Sequence, residues 1–422
     1  MKGAGLLLTP LVLVPALAAQ PNPLNLFIAD LSWKNGRPVV GTPKKLTNDV
    51  GTNSQPSFSA DGKAIVFSGL RGDGPDARSD IYRIDLVSGK EARVTTTSEN
   101  ENSPTVSPAG GYYAVRWVPA TLFKEYGLWE YQSDGTPLRG VLPGPDTTGY
   151  YTPLGNGDFA LMRPKNRNAV ALFSGKNGTI SDLDSIVANL PPQRIPRANA
   201  ISYTHTDSTG RNEIRRVNLD DRAVSVVAPT LVSRTVHVWL NGETLLMGKG
   251  NTVYTRRVGR DTAWVPVASF DSPELRNVTT YVVSPQGDKL VLTSPMKLAL
   301  NVAIRDRLEA GQPVAQVVAD MSRLRDTNGL SDFALAVGAV TIADDRRLVK
   351  PGTDEILLLD FLRSLFPTQH RVWGRLGDAH AAAKDVAKAR EAYGKALELN
   401  TRGTAADSAA AARVEKALKE LP

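Results

Sequence analysis

The sequence predicts a mainly β protein with an α tail, namely a six-bladed β-propeller followed by an α-helical domain. Three observations lead to this fold class. Short β hairpins recur along the first 295 residues. Two early strands can complete the sheet that is left unfinished before Pro295. Beyond that residue the composition shifts to Ala, Leu, Arg and Asp, with apolar residues at helical spacing.

The clearest blade occupies residues 56–95. Its turn, Asp61-Gly62, lies between two short runs that contain β-branched and aromatic residues, which is a strong short-range hairpin signal. Residues 81–86 then alternate between apolar and polar, and a turn leads into a fourth strand over 91–95. Four antiparallel strands in about forty residues are typical of one propeller blade.

The opening hairpin returns along the chain, which predicts six blades. Blade openings lie near residues 56, 104, 151, 200, 236 and 281. The last blade has only two strands, so we expect the N-terminal segments 24–30 and 37–40 to complete it. Closing a ring in this way removes free sheet edges that would otherwise invite aggregation.

This hairpin resembles the TolB-like propeller repeat, whose signature is P-S-[WF]-S-P-D-G-K-x-[IL]-A-F followed by an I-Y-x-x-D strand. Residues 56–67 match it closely, the openings at 104 and 281 match partly, and the other three match loosely. The resemblance covers residues 22–295. Its motif positions here are Pro56, Ser59, Asp61, Gly62, Tyr82, Asp85, Ser107, Ser284 and Gly287. The family includes envelope proteins, peptidase propellers and lyases, so the resemblance implies a fold and leaves function open.

The tail contains helix-length segments over residues 298–308, 314–324, 333–342 and 355–366. From His370 onward it resembles a tetratricopeptide repeat. The matching positions are Trp373, Leu376, Gly377, Ala389, Tyr393 and Ala396. Small residues at Gly377 and Ala389 would let two helices approach closely, with a plain helical bundle as the alternative. Because one repeat cannot bury its own face, it must pack on other elements or on a partner.

The first residues predict export from the cytoplasm. Lys2 provides a positive start, a short apolar run follows, and small residues precede a cleavage point near Ala18 or Ala19. We therefore expect a signal peptide over 1–19, a propeller over 20–296 and a helical domain over 297–422. An uncleaved membrane anchor is the alternative. After cleavage we expect a periplasmic or secreted protein without membrane insertion.

Composition narrows the possible chemistry. The chain has no cysteine, which excludes disulfides and thiolate metal sites. Lys and Arg exceed Asp and Glu by 50 to 43, and this excess is spread along the chain without a basic cluster. A diffuse charge of this kind does not indicate a nucleic-acid partner.

No catalytic motif is apparent, and we expect no catalytic residue, metal ligand or cofactor. His205 and His237 could face the central funnel, where some TolB-like lyases hold metal, although ordinary strand histidines are the commoner interpretation. The loop 71–80 contains Asp73, Asp76 and Asp80, a density of carboxylates that can hold Ca²⁺ but is usually solvated.

The sequence favours a binding protein over an enzyme. The leading hypothesis is an exported, non-catalytic scaffold of the bacterial envelope, with a protein or glycan partner bound by the propeller funnel and the helical groove. The rival is a metal-dependent polysaccharide lyase or hydrolase that uses the funnel. A third possibility is a vestigial gating propeller whose catalytic half has been replaced by helices.

Overall fold

The computed structural model describes residues 24–48, 51–72, 77–117, 126–142, 148–164, 168–207, 211–232, 235–295, 300–326, 342–343, 345–400 and 405–422. The predicted signal peptide lies outside these residues, as do most of the predicted helix 333–342 and the loop carboxylates Asp73 and Asp76. The described chain is mainly β up to Pro295 and helical from Leu300 onward.

The described part of the chain begins with three strands that join the last strands of the sheet region. They are β1 (Leu24–Lys34), β2 (Arg37–Val40) and β3 (Lys44–Lys45). Blades 1 and 2 follow. Blade 1 contains β4 (Thr52–Phe58), β5 (Ala64–Arg71), β6 (Arg78–Asp85) and β7 (Glu91–Arg93). Blade 2 contains β8 (Asn100–Val106), β9 (Tyr112–Trp117), β10 (Tyr126–Tyr131) and β11 (Pro137–Leu142).

Blades 3 to 5 repeat the same antiparallel order. Blade 3 contains β12 (Tyr150–Gly155), β13 (Asp158–Arg163), β14 (Ala169–Ser174) and β15 (Thr179–Ser185). Blade 4 contains β16 (Gln193–Arg194), β17 (Ala200–Thr206), β18 (Asn212–Asn218) and β19 (Val224–Pro229). Blade 5 contains β20 (Val238–Trp239), β21 (Thr244–Lys249), β22 (Thr252–Arg257) and β23 (Val265–Ser269). After a 3₁₀ turn, Pro273–Leu275, blade 6 starts with β24 (Thr280–Val283) and β25 (Lys289–Pro295).

Blade 6 is completed by the N-terminal strands, as the sequence predicts. Strand β1 pairs antiparallel with β25, from Leu24 opposite Pro295 to Asp30 opposite Lys289. Strand β2 then pairs with the far end of β1, which gives the order β24-β25-β1-β2. The start of β1 also meets β4 of blade 1 through a parallel bridge between Leu24 and Thr52. The two ends of the sheet region are therefore joined within one blade.

The hydrophobic core shows that the blades form a closed ring. Six clusters of buried side chains each join two neighbouring blades, including blade 6 to blade 1. One representative pair from each cluster is Ile81 and Tyr112, Tyr113 and Phe159, Met162 and Tyr203, Ile195 and Trp239, Val253 and Tyr281, and Leu26 and Phe67. Alternating strand residues supply both faces of each sheet, so every blade is buried on two sides.

The hairpin motif is a set of turn contacts. In blade 1 the Ser59 hydroxyl donates to the Asp61 carboxylate over 2.6 Å, and the Lys63 amide donates to the same oxygen over 3.0 Å. Gly62 has a φ of 71°, a left-handed conformation that favours glycine. In blade 6 the Ser284 hydroxyl likewise donates to Asp288 over 2.8 Å. These residues form turns and are not among the described residues that line the central cavity.

A salt bridge ties the closing hairpin to blade 5. The Arg37 guanidinium, in β2, donates to both carboxylate oxygens of Asp261 over 2.7 and 2.8 Å. Arg257 reaches the same carboxylate at 3.0 Å. The hydrogen bonds from these two arginines hold the pKa of Asp261 well below its usual range. These salt bridges hold the outer edge of blade 6 against blade 5.

The helical part has a core of its own. Its described helices are α1 (Leu300–Glu309), α2 (Val314–Asp326), α3 (Thr353–Leu365), α4 (His370–Ala382), α5 (Val386–Leu399) and α6 (Ala405–Glu420). Helices α1 to α4 share one cluster of buried side chains, and a second cluster joins α5 to α6. Within the described chain, no helix combines the length and apolar character needed to cross a membrane.

The pair α4 and α5 packs closely at Gly377. A side chain there would meet the Tyr393 ring, because a Cβ atom would lie 2.4 Å from Tyr393 Cδ1. The Tyr393 hydroxyl donates to Asp378 over 2.8 Å, which holds the ring in place. The contact places Gly377 of one helix directly against the aromatic ring of the next.

Candidate functional site

The innermost strands of all six blades surround a central channel. Its cavity volume is about 450 Å³. The channel is lined by polar and apolar side chains in similar measure. They include Gln55, Ser57, Ser103, Thr105, Tyr150, Tyr151, Gln193, Arg194, Val236, Trp239, Thr280, Tyr281 and Val283. A cavity of this size, with convergent hydrogen-bonding groups, is typical of a ligand site.

Gln55 links three blades at the channel wall. Its side-chain oxygen accepts hydrogen bonds from the Ser103 amide over 2.8 Å and from the Ser68 hydroxyl over 3.2 Å. A hydrogen bond with Gln55 also opposes the effect of burial, which raises the pKa of Tyr150. Blades 1, 2 and 3 therefore meet at this one amide.

The backbone around Gln55 adopts an uncommon conformation. Gln55 and Ser103 both have a φ of 53°, and the strand register shifts at each position. Such bulges re-aim side chains, and positive φ in residues other than glycine costs energy. The same irregularity in two neighbouring blades turns the side chain of Gln55 toward the channel wall.

The described channel lining carries little charge. Arg194 is its one permanently charged side chain, and its guanidinium donates to the Leu154 carbonyl over 3.1 Å. The single proton of the Tyr151 hydroxyl is shared between the carbonyl oxygens of Ser103 and Tyr113, each 2.8 Å away. Burial raises the pKa of Tyr151 far above its usual range, so this phenol stays protonated. The described lining offers hydrogen bonds and apolar contacts without a carboxylate or an imidazole.

The two histidines singled out from the sequence lie between blades, outside the described channel lining. His237 is fully buried, with its Nε2 atom 2.8 Å from the Ser202 hydroxyl. The Trp239 indole donates to the same hydroxyl over 2.8 Å. Burial lowers the pKa of His237 to about 3, so the ring is neutral at physiological pH.

His205 has a different neighbour. Its Nδ1 atom lies 3.0 Å from the Asp184 carboxylate, without the alignment of a good hydrogen bond. The structure does not bring His205 and His237 onto a shared ligand position. Within the described ranges, no cluster of three His, Asp or Glu side chains could hold a metal ion.

A buried carboxylate pair lies between blades 1 and 2. Asp80 is bound by Arg93 at 2.8 Å, and Glu101 accepts hydrogen bonds from the hydroxyls of Thr95, Thr97 and Tyr131. Burial, together with the nearby Asp80 charge, raises the pKa of Glu101 to about 7.

The position of Asp80 bears on the calcium hypothesis. The Asp80 side chain points toward this cluster and is bonded there. Asp73 and Asp76, which the calcium hypothesis places beside it, lie outside the described residues. Sequence reasoning missed Glu101 because a single acidic residue near a proline gives no signal of burial.

A smaller groove of about 190 Å³ lies among helices α4, α5 and α6. Its cations are paired with carboxylates. Arg375 and Arg413 both contact Asp378 at distances of 2.7 and 2.8 Å, and Arg371 lies 3.4 Å from Asp407. Gly374 and Ala396 are small residues of its lining. The helical part therefore offers a second concave surface with balanced charge.

Comparison with known proteins gives one relative in sequence. No family model matches the chain. Over 107 residues, or 24% of the chain, the sequence is 29% identical to an uncharacterized protein of Agrobacterium fabrum. That match spans 32% of the Agrobacterium protein, so the chain covers about a third of the curated relative's length.

Solved structures with a similar arrangement are propellers. TolB from Acinetobacter baumannii has a TM-score of 0.42 and 15% identity, covering 64% of this chain and 63% of TolB. A TolB-type protein from Agrobacterium tumefaciens has a TM-score of 0.45 and 15% identity, covering 65% of this chain and 99% of its own. An oligogalacturonate lyase in complex with manganese has a TM-score of 0.39 and 11% identity, with coverages of 65% and 98%.

The neighbours are thus TolB-like β-propellers together with an enzyme of similar shape. By its own sheet topology and its six inter-blade clusters, the chain is a mainly β propeller with C-terminal helices. At identities of 11–15% the likeness assigns no activity to this chain.

Proposed function

We propose that this chain is an exported, non-catalytic interaction protein of the bacterial envelope. It binds a protein or glycan partner in the central channel and uses the groove of its helical part as a second contact. The observation that carries the proposal is the channel itself, which all six blades line with hydroxyl, amide and apolar groups. A general acid–base mechanism needs titratable groups at the reacting atoms, and the described lining supplies only phenols and Arg194.

The rigidity of the ring supports binding at this position. The channel walls are strands whose outer faces are fixed by inter-blade cores, so the lining is largely formed before a ligand arrives. A preformed site loses less conformational entropy when it binds. Buried groups such as Tyr151 hold wall carbonyls in place, while Thr280 and Val283 remain partly exposed in the channel.

The helical part is proposed to be tetratricopeptide-like. The close contact of Gly377 with Tyr393, and the burial of Leu376, Ala389 and Ala396, support this assignment. The side chain of Trp373 packs at the junction of both helical cores, and its indole donates to the Pro367 carbonyl over 2.7 Å. Stacked helix pairs of this kind form concave surfaces used for partner binding.

Export is part of the same proposal. We propose that residues 1–19 form a signal peptide and that the mature chain consists of a propeller over 20–296 and a helical domain over 297–422. The lack of cysteine is compatible with an oxidising compartment, where a free thiol would be a liability. The predicted periplasmic or secreted location follows from the signal peptide.

Photocrosslinking in living cells tests the proposal. A photoreactive phenylalanine analogue replaces Thr280, which lines the channel, and in a matched variant replaces Val87, which is 83% exposed on an outer turn. We expect a discrete partner to be captured at Thr280 and not at Val87. Equal capture at both positions contradicts binding in the channel. Degradation of a polysaccharide by the purified protein, dependent on a bound metal, contradicts the non-catalytic assignment.

A further inference from the structure

A second cavity adjoins the channel at the end where the innermost strands begin. Its volume is about 340 Å³, and it shares Gln55 and Tyr150 with the channel. We call it the amide chamber. Its described lining consists of Gln55, Asn102, Val115, Trp117, Gly149, Tyr150, Met162, Pro164 and Asn189. Residues from blades 1, 2 and 3 and the crossover into blade 4 therefore meet here.

The chamber combines an apolar floor with a polar rim. The apolar surface is formed by Trp117, at the end of β9, and by Pro164, both partly exposed. Val115 and Met162 are each 1% exposed and belong to the inter-blade cores. The polar groups are amides and a phenol instead of ions. An amide side chain both donates and accepts hydrogen bonds, which suits a hydroxyl that does the same.

Two of the amides have capacity to bind a ligand. The Asn102 oxygen accepts from the Ser79 hydroxyl over 3.1 Å, and its NH₂ group has no hydrogen-bond partner within the described chain. Asn189 is exposed, and its side chain makes no hydrogen bond to any described residue. Gln55 differs, because its oxygen is already bound by Ser103 and Ser68. Asn102 and Asn189 can therefore form hydrogen bonds to a ligand without disrupting the hydrogen bonds that hold the chamber wall.

The arginines next to the chamber in sequence point away from it and are paired with carboxylates outside it. Arg116 and Arg163 adjoin lining residues in sequence, but strand alternation turns their side chains away. The Arg116 guanidinium lies 2.9 Å from Glu99, and the Arg163 guanidinium lies 2.7 Å from Asp182. An anionic ligand would find no cation in the described lining, so a neutral ligand is favoured.

We infer that the amide chamber is a subsite for a neutral saccharide. A pyranose has an apolar C–H face and a rim of hydroxyl groups, which matches an apolar floor with an indole and a rim of amides. This assignment rests on the proposed function, since it names the ligand class that the channel region takes. Saccharide in the chamber lies next to the Gln55 and Tyr150 pair, and a longer glycan extends from there into the channel.

Calorimetric titration of the full chain tests this inference with named probes. The neutral probes are cellotetraose, maltotetraose and chitotetraose, and the anionic probe is trigalacturonate. We expect at least one neutral probe to bind saturably and trigalacturonate to bind more weakly. The Asn189→Ala variant should weaken binding by about tenfold, the effect of losing one or two ligand hydrogen bonds. Asn35→Ala is the matched control, because this exposed asparagine lies in the turn between β1 and β2 and is not among the described lining residues of the chamber or the channel. It should leave the dissociation constant unchanged.

The inference is overturned if no neutral probe binds, if trigalacturonate binds best, or if Asn189→Ala and Trp117→Ala leave binding unchanged. The crosslinking experiment separates this failure from failure of the proposed function. A partner captured at Thr280 without saccharide binding leaves the interaction protein standing and removes only the saccharide. Loss of both results removes the proposed function as well.

Discussion

His237 is a titratable residue whose role in the described structure is packing. Its neutral ring fills a site between blades 4 and 5 and is bound to Ser202. Because burial lowers its pKa to about 3, the unfolded chain binds a proton below its ordinary pKa of 6.5 while the folded chain does not. Its contribution to stability is therefore complete above pH 6.5 and is lost as the pH falls toward 3.

We expect His237→Gln to remove this pH dependence. The difference in free energy of unfolding between wild type and variant should shrink by about 1 kcal/mol per pH unit between roughly pH 6 and pH 4. Urea denaturation at a series of pH values measures it. A difference that stays constant across this range would mean that the ring is charged or solvated in the folded protein.

Glu101 makes the stability of the folded chain depend on pH in the opposite sense to His237. Burial raises its pKa to about 7 from 4.5, so between these values the folded chain holds a proton that the unfolded chain has lost. Its stabilising contribution is complete below pH 4.5 and is lost as the pH rises through 7. Glu101→Gln keeps the shape without the charge, and we expect it to be more stable than wild type by roughly 2–3 kcal/mol above pH 7.

The same denaturation series contains the control for Glu101→Gln. Near pH 4.5 the wild-type carboxyl is protonated in the folded state, and the two proteins should be equally stable there. An advantage of the variant that does not grow between these pH values would contradict a buried, protonated Glu101.

At the scale of elements, turn chemistry made the blades predictable. Asp61 and Gly62 specify their hairpin through local contacts that the sequence displays directly. The opening of blade 4 was not predictable in the same way. The predicted opening near residue 200 is the second strand of that blade, since its innermost strand is the two-residue β16. Flanking prolines at 191, 192 and 196 hide so short a strand from any alternation of residues.

The contact between α4 and α5 is also testable at this scale. Gly377→Ala places a methyl group against the Tyr393 ring, and we expect a loss of about 1–3 kcal/mol from overpacking. Gly394→Ala is the matched control, because a Cβ atom there meets nothing within 4 Å. It should be neutral or slightly stabilising, since alanine favours a helix over glycine. Thermal melting followed by circular dichroism compares the two, and equal effects would contradict the close helix contact.

At the scale of the whole molecule, the order of strands was predictable and the cavities were not. Ring closure could be inferred because a two-stranded blade at one end and two extra strands at the other complement each other. The channel lining depends on residues as distant as Gln55 and Thr280, which no local pattern connects. His205 and His237 were predicted to face the funnel only because histidine can bind metal. The strand pairing instead places both between blades.

Closure of the ring depends on the pairing of β1 with β25, which a disulfide in this cysteine-free chain tests directly. Asp30 and Lys289 face each other across these strands at the surface. Paired strands hold such residues at a Cα separation that a disulfide can span. We expect the double variant Asp30→Cys, Lys289→Cys to form an intramolecular disulfide, identified by mass spectrometry of unreduced peptides. The control pair Asp30→Cys, Val87→Cys should not form one. Cross-linking of the first pair no better than the control would contradict ring closure by the N-terminal strands.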